Sequence, residues 1–141
     1  MILRGSIDDK NQLWVPITVA GEYGQQKISA LLDTGFTGEL QLPLQIAVPL
    51  GLKLVGVASY KLADGSVSQQ MLFSASINWG TKTRLVTASV VMDAEDVLMG
   101  VSVLHGYVLL VDFQQKQFVI KEPGTDDPQV GDVTQSPALK S

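Results

Sequence analysis

Short apolar runs separated by glycine and polar turns fill residues 2–121, and Val, Ile, Leu, Phe and Trp recur in them. Such residues suit half-buried pleated strands better than long helices. LWVPITV (13–19) and KISALLD (27–33) predict a hairpin across AGEYGQQ. Pro16 has no ladder donor, which predicts an edge or a bulge at that point. ELQLP (39–43) alternates as a short strand, and LQIAVPLG (44–51) has room for one or two helical turns. In that helix Ile46, Ala47 and Leu50 would face inward and Pro49 would limit its length. A long hairpin follows, with strands 56–62 and 67–79 around Ala63-Asp64-Gly65-Ser66. Asp-Gly marks the turn because both residues tolerate positive φ. TKTRLVTASVVM (81–92) continues through Gly80, and YVLLVDF (107–113) with QFVIK (117–121) predicts a closing hairpin. Between them, AEDVLMGVSVLHG has space for one or two helical turns interrupted by Gly100.

From Glu122 onward the pattern stops. EPGTDDPQVGDVTQSPALKS holds three prolines and little apolar density, too little burial to offset the entropy of ordering it. The expected organisation is one domain over residues 1–121 and a disordered polar tail over 122–141. No tandem repeat is visible, which disfavours solenoids and propellers.

Composition then narrows the chemistry. At 141 residues and 45% apolar, one domain hides about two-thirds of its unfolded surface without covalent staples. Ten Lys and Arg against fourteen Asp and Glu give a net charge of −4. That balance argues against tracking a phosphate backbone or an anionic membrane, so neither nucleic acid nor membrane is an expected partner. There is no cysteine and a single histidine, His105. Disulfides, thiol nucleophiles and multi-histidine metal centres are thereby excluded. MILRGSIDDK is interrupted by Arg4, Asp8 and Asp9 and lacks the apolar stretch of a signal peptide. No run reaches the roughly 18 apolar residues of a membrane span. A soluble, cytoplasmic protein is the expectation.

Carboxylates, hydroxyls and amides remain, and ALLDTGFTGELQLP concentrates them. An apolar strand ends in Asp33, followed by Thr34, Gly35 and a second glycine at 38. The glycines permit a tight loop that would hold the carboxylate at the mouth of a buried strand. An isolated Asp-Thr-Gly triplet equally builds a structural Asx-turn, and both readings stay open on the triplet alone.

Together with its surroundings, the triplet resembles the retropepsin-like aspartic proteases, particularly the small single-domain bacterial type. LLDTGFTG (31–38) resembles the family's catalytic strand and loop, and YKLADGSV (60–67) resembles its flap. Val97-Leu98-Met99-Gly100 is similar to the element packed beside the loop, and GYVLLVDF (106–113) to the closing strand. The resemblance covers residues 10–121. It implies an all-β acid-protease barrel with a flap hairpin and one short helix near the C-terminal end of the domain. Asp33 would be catalytic, supported by Thr34 interlocking two active-site loops and by the amide of Gly35. Tyr60, Lys61, Leu62, Ala63, Asp64 and Gly65 would form the flap, and Leu98, Met99 and Gly100 would pack against the catalytic loop. Phe36 stands where viral members carry a small residue. Ser102 stands where many members carry a polar or charged pair, and would cap the helix start.

The implied activity is an aspartic endopeptidase, with an extended peptide or protein as substrate and neither cofactor nor metal. One encoded triplet supplies one carboxylate, while water activation by this chemistry uses two sharing a proton. A two-fold dimer would bring Asp33 to its own copy. The competing reading is a catalytically weak peptide-binding or dimerisation module on the same fold. Other candidates read more simply: Asp64 and Asp112 as turn formers, Asp8 and Asp9 as a hairpin turn, His105 as a local cap, and Asp93, Glu95 and Asp96 as a solvated loop. Trp14 and Trp79 read as packing residues.

Overall fold

The computed structural model describes residues 2–124; the expected tail lies outside the described residues from 125 onward. Ten strands form one continuous sheet that closes on itself. In chain order they are β1 (Ile2–Ile7), β2 (Leu13–Ala20), β3 (Gln25–Asp33), β4 (Leu40–Pro43), β5 (Lys53–Lys61), β6 (Val67–Trp79), β7 (Lys82–Val91), β8 (Val97–Gly100), β9 (Val108–Asp112) and β10 (Gln117–Lys121). A seven-residue helix, α1 (Leu44–Leu50), follows β4 directly.

The sheet runs β5-β6-β7-β4-β8-β3-β2-β1-β10-β9, and an added β6–β2 pairing closes six strands into a barrel. Closure removes the barrel's own edges. β5 extends it on one side, and β1, β10 and β9 extend it on the other. β3 with β8 and β4 with β7 are parallel pairs, which gather strands distant in sequence around the barrel mouth.

All six barrel strands send alternate residues inward. Val15, Ile17 and Val19, Ala30, Leu40 and Leu42, Ala75, Ile77 and Trp79, Val86 and Ala88, and Val97 and Met99 are buried. Each large aliphatic side chain among them contributes about 1.5–3 kcal/mol of transfer free energy. Trp79 meets Tyr107 edge to face with ring centroids 4.8 Å apart, so it is a packing residue. Trp14 instead donates its indole N–H to Asp8 Oδ2 at 2.9 Å.

Pro16 occupies a local edge. β2 pairs with β1 only at Leu13 and Trp14 and with β6 only at Thr18–Ala20, which leaves its second side open between them. α1 buries Ala47 and Leu50, contains Pro49 and stops at Gly51 with φ of 68°, a left-handed cap that glycine adopts without strain.

Two segments depart from the reading of local pattern. The hairpin turn expected at Asp8 and Asp9 joins β1 to β2 at Ser6 and Ile7, yet β1 also pairs with β10 along Ile2–Ser6, a partnership the local pattern does not give. VLMG (97–100), which composition places in helical turns, is the strand β8 between β3 and β4. Both are tertiary effects, because a four- to six-residue run takes the conformation its flanking strands can pair. The helix expected near the C-terminal end is a single 3₁₀ turn, Val101–Leu104.

Candidate active site

β3 carries Asp33 as its last residue, in parallel register with Gly100 at the end of β8. The chain then turns sharply. Gly35 N–H donates to Asp33 Oδ1 at 2.9 Å, and Phe36 N–H donates to the Asp33 carbonyl at 3.2 Å. This is the Asx-turn of the structural reading, and it engages one carboxylate oxygen only. Among the described residues Oδ2 accepts no hydrogen bond, and Asp33 is half-buried. Thr34 is exposed beside it, and its hydroxyl has no partner among the described residues.

Close approach explains the glycines. A Cβ on Gly100 would run into the carbonyl oxygen of Gly38 and come within 3.0 Å of the Phe36 carbonyl. Gly38 in turn lies under the Phe36 ring, so the bulky residue after the triplet folds back onto its own loop. Gly100 N–H donates to the Glu39 carbonyl at 2.9 Å. Leu98 and Met99 sit in register with Leu31 and Leu32 of β3 and with Gln41 and Leu40 of β4. These contacts place Leu98, Met99 and Gly100 against the strand and loop that carry Asp33.

Ser102 does not cap the 3₁₀ turn, which has no side-chain cap. Its hydroxyl donates to the Gly38 carbonyl at 3.1 Å, because the tight packing of Gly100 brings that carbonyl within reach. Two further residues escape local sequence patterns. Glu39 accepts Thr87 N–H at 2.9 Å through Oε1 and pairs with Arg84 at 3.3 Å through Oε2, while Arg84 also donates to the Val103 carbonyl at 2.6 Å. An acid closing the loop is a weak signal, and an arginine on a distant strand gives none.

The surface at Asp33 is a groove of about 340 Å³ between residues 11–13 of the β1–β2 turn and Leu31, Leu32, Asp33 and Thr34. A larger depression of about 450 Å³ lies at the open side of β2, near Pro16, Lys27 and Asn78, and carries no carboxylate. Asp33 lines the smaller groove.

Residues 53–79 form the long hairpin, with Leu62 N–H donating to the Ser66 carbonyl at 2.8 Å. Asp64 Oδ1 accepts Ser66 N–H at 2.9 Å and Ser66 Oγ–H at 2.6 Å. The Ser66 hydroxyl, then its amide, hold the Asp64 carboxyl below its ordinary range. Alternation along β6 puts Met71, Gln69 and Val67 on the face that carries buried Ala75, Ile77 and Trp79. Cross-strand register adds Val57 and Lys61 to that inner face and puts Tyr60, opposite Ser68, on the outer one. Val57, Val67 and Met71 are each at least half exposed on that face, which they share with Ser59, Lys61 and Gln69. Leu62, Ala63 and Gly65 form the exposed tip.

The remaining acids build turns or sit in solvent. Asp8 accepts from Lys10 and Gln12 amides as well as from Trp14, and the Trp14 indole is the main cause of its lowered pKa. Asp112 Oδ1 accepts the amides of Gln114 and Gln115. Asp93, Glu95 and Asp96 are exposed, and His105 ends the 3₁₀ turn on the surface. No group of three or more His, Asp or Glu side chains is gathered for a metal among the described residues.

No protein-family model matches the chain, and no curated protein sequence does. Among solved structures it is similar to a retropepsin-like aspartic protease from Rickettsia conorii, with a TM-score of 0.64 over 86% of this chain and 91% of that one. The fold is retropepsin-like. Sequence identity in that comparison is 18%, so the likeness extends to architecture and not to activity. The simian foamy virus (mac) protease is more distant, with a TM-score of 0.46, 13% identity, and coverage of 62% of this chain and 88% of that one. No helix among the described residues is long and apolar enough to cross a membrane.

Proposed function

We propose that the protein is an aspartic endopeptidase, active as a homodimer in which Asp33 of one copy shares a proton with Asp33 of the other. The observation that carries this reading is the presentation of Asp33 on a retropepsin-like fold. One carboxylate oxygen is pinned by the Gly35 amide, the other is open, and the next residue, Thr34, is exposed.

Two such carboxylates a few Å apart do not ionise together, so the pair holds one proton and titrates as a unit. The ionised member takes a proton from a bound water, whose oxygen attacks the scissile carbonyl carbon. The protonated member gives its proton to the carbonyl oxygen, forming a gem-diol. Proton transfer to the amide nitrogen then breaks the C–N bond and releases an amine and a carboxylic acid. Thr34 hydroxyls interlock the two loops beneath the pair. The hairpin 53–79 closes over an extended peptide and excludes bulk water, and Val57, Val67 and Met71 on its inner face favour apolar substrate side chains.

Digestion of a diverse peptide library by wild type and D33N, read by mass spectrometry, tests the reading. Cleavage by wild type alone is expected, with sedimentation across a concentration series giving a dimer whose dissociation removes activity. Equal cleavage by both proteins removes Asp33 from the mechanism. Peptide binding without cleavage by a stable dimer makes the chain a binding module. Activity from a species that remains monomeric refutes the shared pair.

A further inference from the structure

Three segments far apart in sequence meet at Arg84 on β7. Its Nη1 donates to the Val103 carbonyl at 2.6 Å and its Nη2 to Glu39 Oε2 at 3.3 Å. Glu39 is the last residue of the loop that begins at Asp33, and its other oxygen accepts Thr87 N–H at 2.9 Å. Its carbonyl accepts Gly100 N–H, and the neighbouring Gly38 carbonyl accepts the Ser102 hydroxyl. One guanidinium therefore ties the Asp33 loop and the 3₁₀ turn behind it to the same barrel strand.

We propose that Arg84 is a positioning residue for the Asp33 site. It fixes loop 34–39 against turn 101–104, so that the Gly35 amide stays on Oδ1 and Oδ2 stays presented. The inference rests on the endopeptidase reading, and Arg84 itself touches neither Asp33 nor any reacting atom.

Two physical arguments separate positioning from general stability. The side chains of Arg84 and Glu39 are 35% and 29% exposed, and solvent-screened pairs contribute little to global stability. Reacting geometry is far less forgiving, since a displacement of about 1 Å costs roughly 10²-fold in rate. Arg84 also serves two acceptors on different segments. A planar fork reaches them with two separate nitrogens, whereas an ammonium would have to reach both from a single nitrogen on a flexible stem.

The test compares full-length wild type, R84M, R84K and E39Q. Readouts are kcat and KM on one cleaved peptide, thermal unfolding, and amide hydrogen exchange at Gly35, Phe36 and Gly100. R84M is expected to lose about 10- to 100-fold in kcat with KM nearly unchanged. Its unfolding midpoint should move little, and exchange at Phe36 and Gly100 should accelerate. R84K should keep the charge without restoring kcat. E39Q retains an acceptor for Thr87 N–H, so it loses less and stays folded if R84M does not. The R84M/E39Q double variant should lose less than the product of the singles, as coupled partners do.

Unchanged kcat and unchanged exchange in R84M and E39Q overturn the proposal, as does full recovery in R84K. A kcat loss that merely follows the unfolded fraction also overturns it. If wild type cleaves no peptide, the endopeptidase reading fails by itself. Exchange then decides whether Arg84 holds the loop: faster exchange at Phe36 and Gly100 supports the anchor, and unchanged exchange refutes it.

Discussion

Two of the aspartate turns in this molecule, each holding a glycine, start from the same local chemistry and end in different places. At Asp33-Thr34-Gly35 and at Asp64-Gly65-Ser66, an aspartate Oδ1 accepts the amide two residues onward at 2.9 Å. The Asp64 turn is complete within itself. The Ser66 hydroxyl donates to the same Oδ1, and a Cβ on Gly65 would meet nothing within 4 Å. The Asp33 turn is enclosed by other segments: Gly100 lies against the Gly38 carbonyl, Ser102 donates to it, and Glu39 reaches β7. The motif makes a turn in both cases. Long-range packing leaves the aspartate of one half-buried, where that of the other is exposed.

Removing the two carboxylates should separate the turns most widely. D33N keeps the side-chain volume and an acceptor for Gly35 N–H but cannot exchange the shared proton. Peptide turnover should fall by about 10²-fold or more while circular dichroism and dimer mass stay those of wild type. D64N should leave kcat within about twofold, because a tip acceptor remains and no proton is transferred there. A comparable loss in both variants would mean that the turns are functionally alike.

Their glycines break the comparison next. G100A forces a methyl onto the Gly38 carbonyl, and overpacking against backbone should cost about 3 kcal/mol in chemical denaturation and displace the loop. G65A meets open space but adopts φ of 88°, which should cost about 1 kcal/mol, confined to the hairpin tip. Equal destabilisation by the two substitutions would show that the Gly38 carbonyl yields to the added methyl and that close packing does not explain Gly100.

This contrast also explains what the sequence made legible. Most strands follow from apolar alternation and the turns from Asp-Gly and its neighbours, since both depend on residues adjacent in the chain. The β6 strand, Val67–Trp79, lies where alternation places it. Asp33 stands out because its triplet follows an apolar strand. β1 and β8 do not stand out: Ile2–Ile7 and Val97–Gly100 are too short to declare themselves and become strands through β10, β3 and β4. Arg84 is invisible for the same reason. Its partners, Glu39 and Val103, are joined to it only by the folded barrel.

Local stability should differ between the two regions on a smaller scale. The tip at 62–66 rests on a two-stranded ribbon, whereas Ile28–Leu32 lies inside the closed barrel. Amide exchange should be fastest at the tip and slowest in β3, and tip exchange should slow when a transition-state peptide mimic is bound. Equal protection of the tip with and without that ligand would remove closure from the mechanism.

The smallest expected effect is in acid, and it isolates the Asp33 pair from the tip. Asp64 is held below its ordinary pKa, chiefly by the Ser66 hydroxyl. A carboxyl lowered in the folded state stabilises it fully above the unfolded value of about 3.9, and that contribution is lost as pH falls through the lowered value. The tip should therefore be constant between about pH 5 and 8 and loosen only in stronger acid. Asp8, lowered chiefly by the Trp14 indole, follows the same direction. Ser66 amide shifts and Trp14 fluorescence followed through acid titration report each group separately. A shared-proton pair instead predicts a bell-shaped dependence of cleavage on pH, to which the two turn acids, already ionised above pH 5, add no variation there. D64N should reproduce the wild-type pH profile of cleavage throughout that range. A displaced limb in D64N would place the tip carboxylate in electrical contact with the site and end the separation between the two turns.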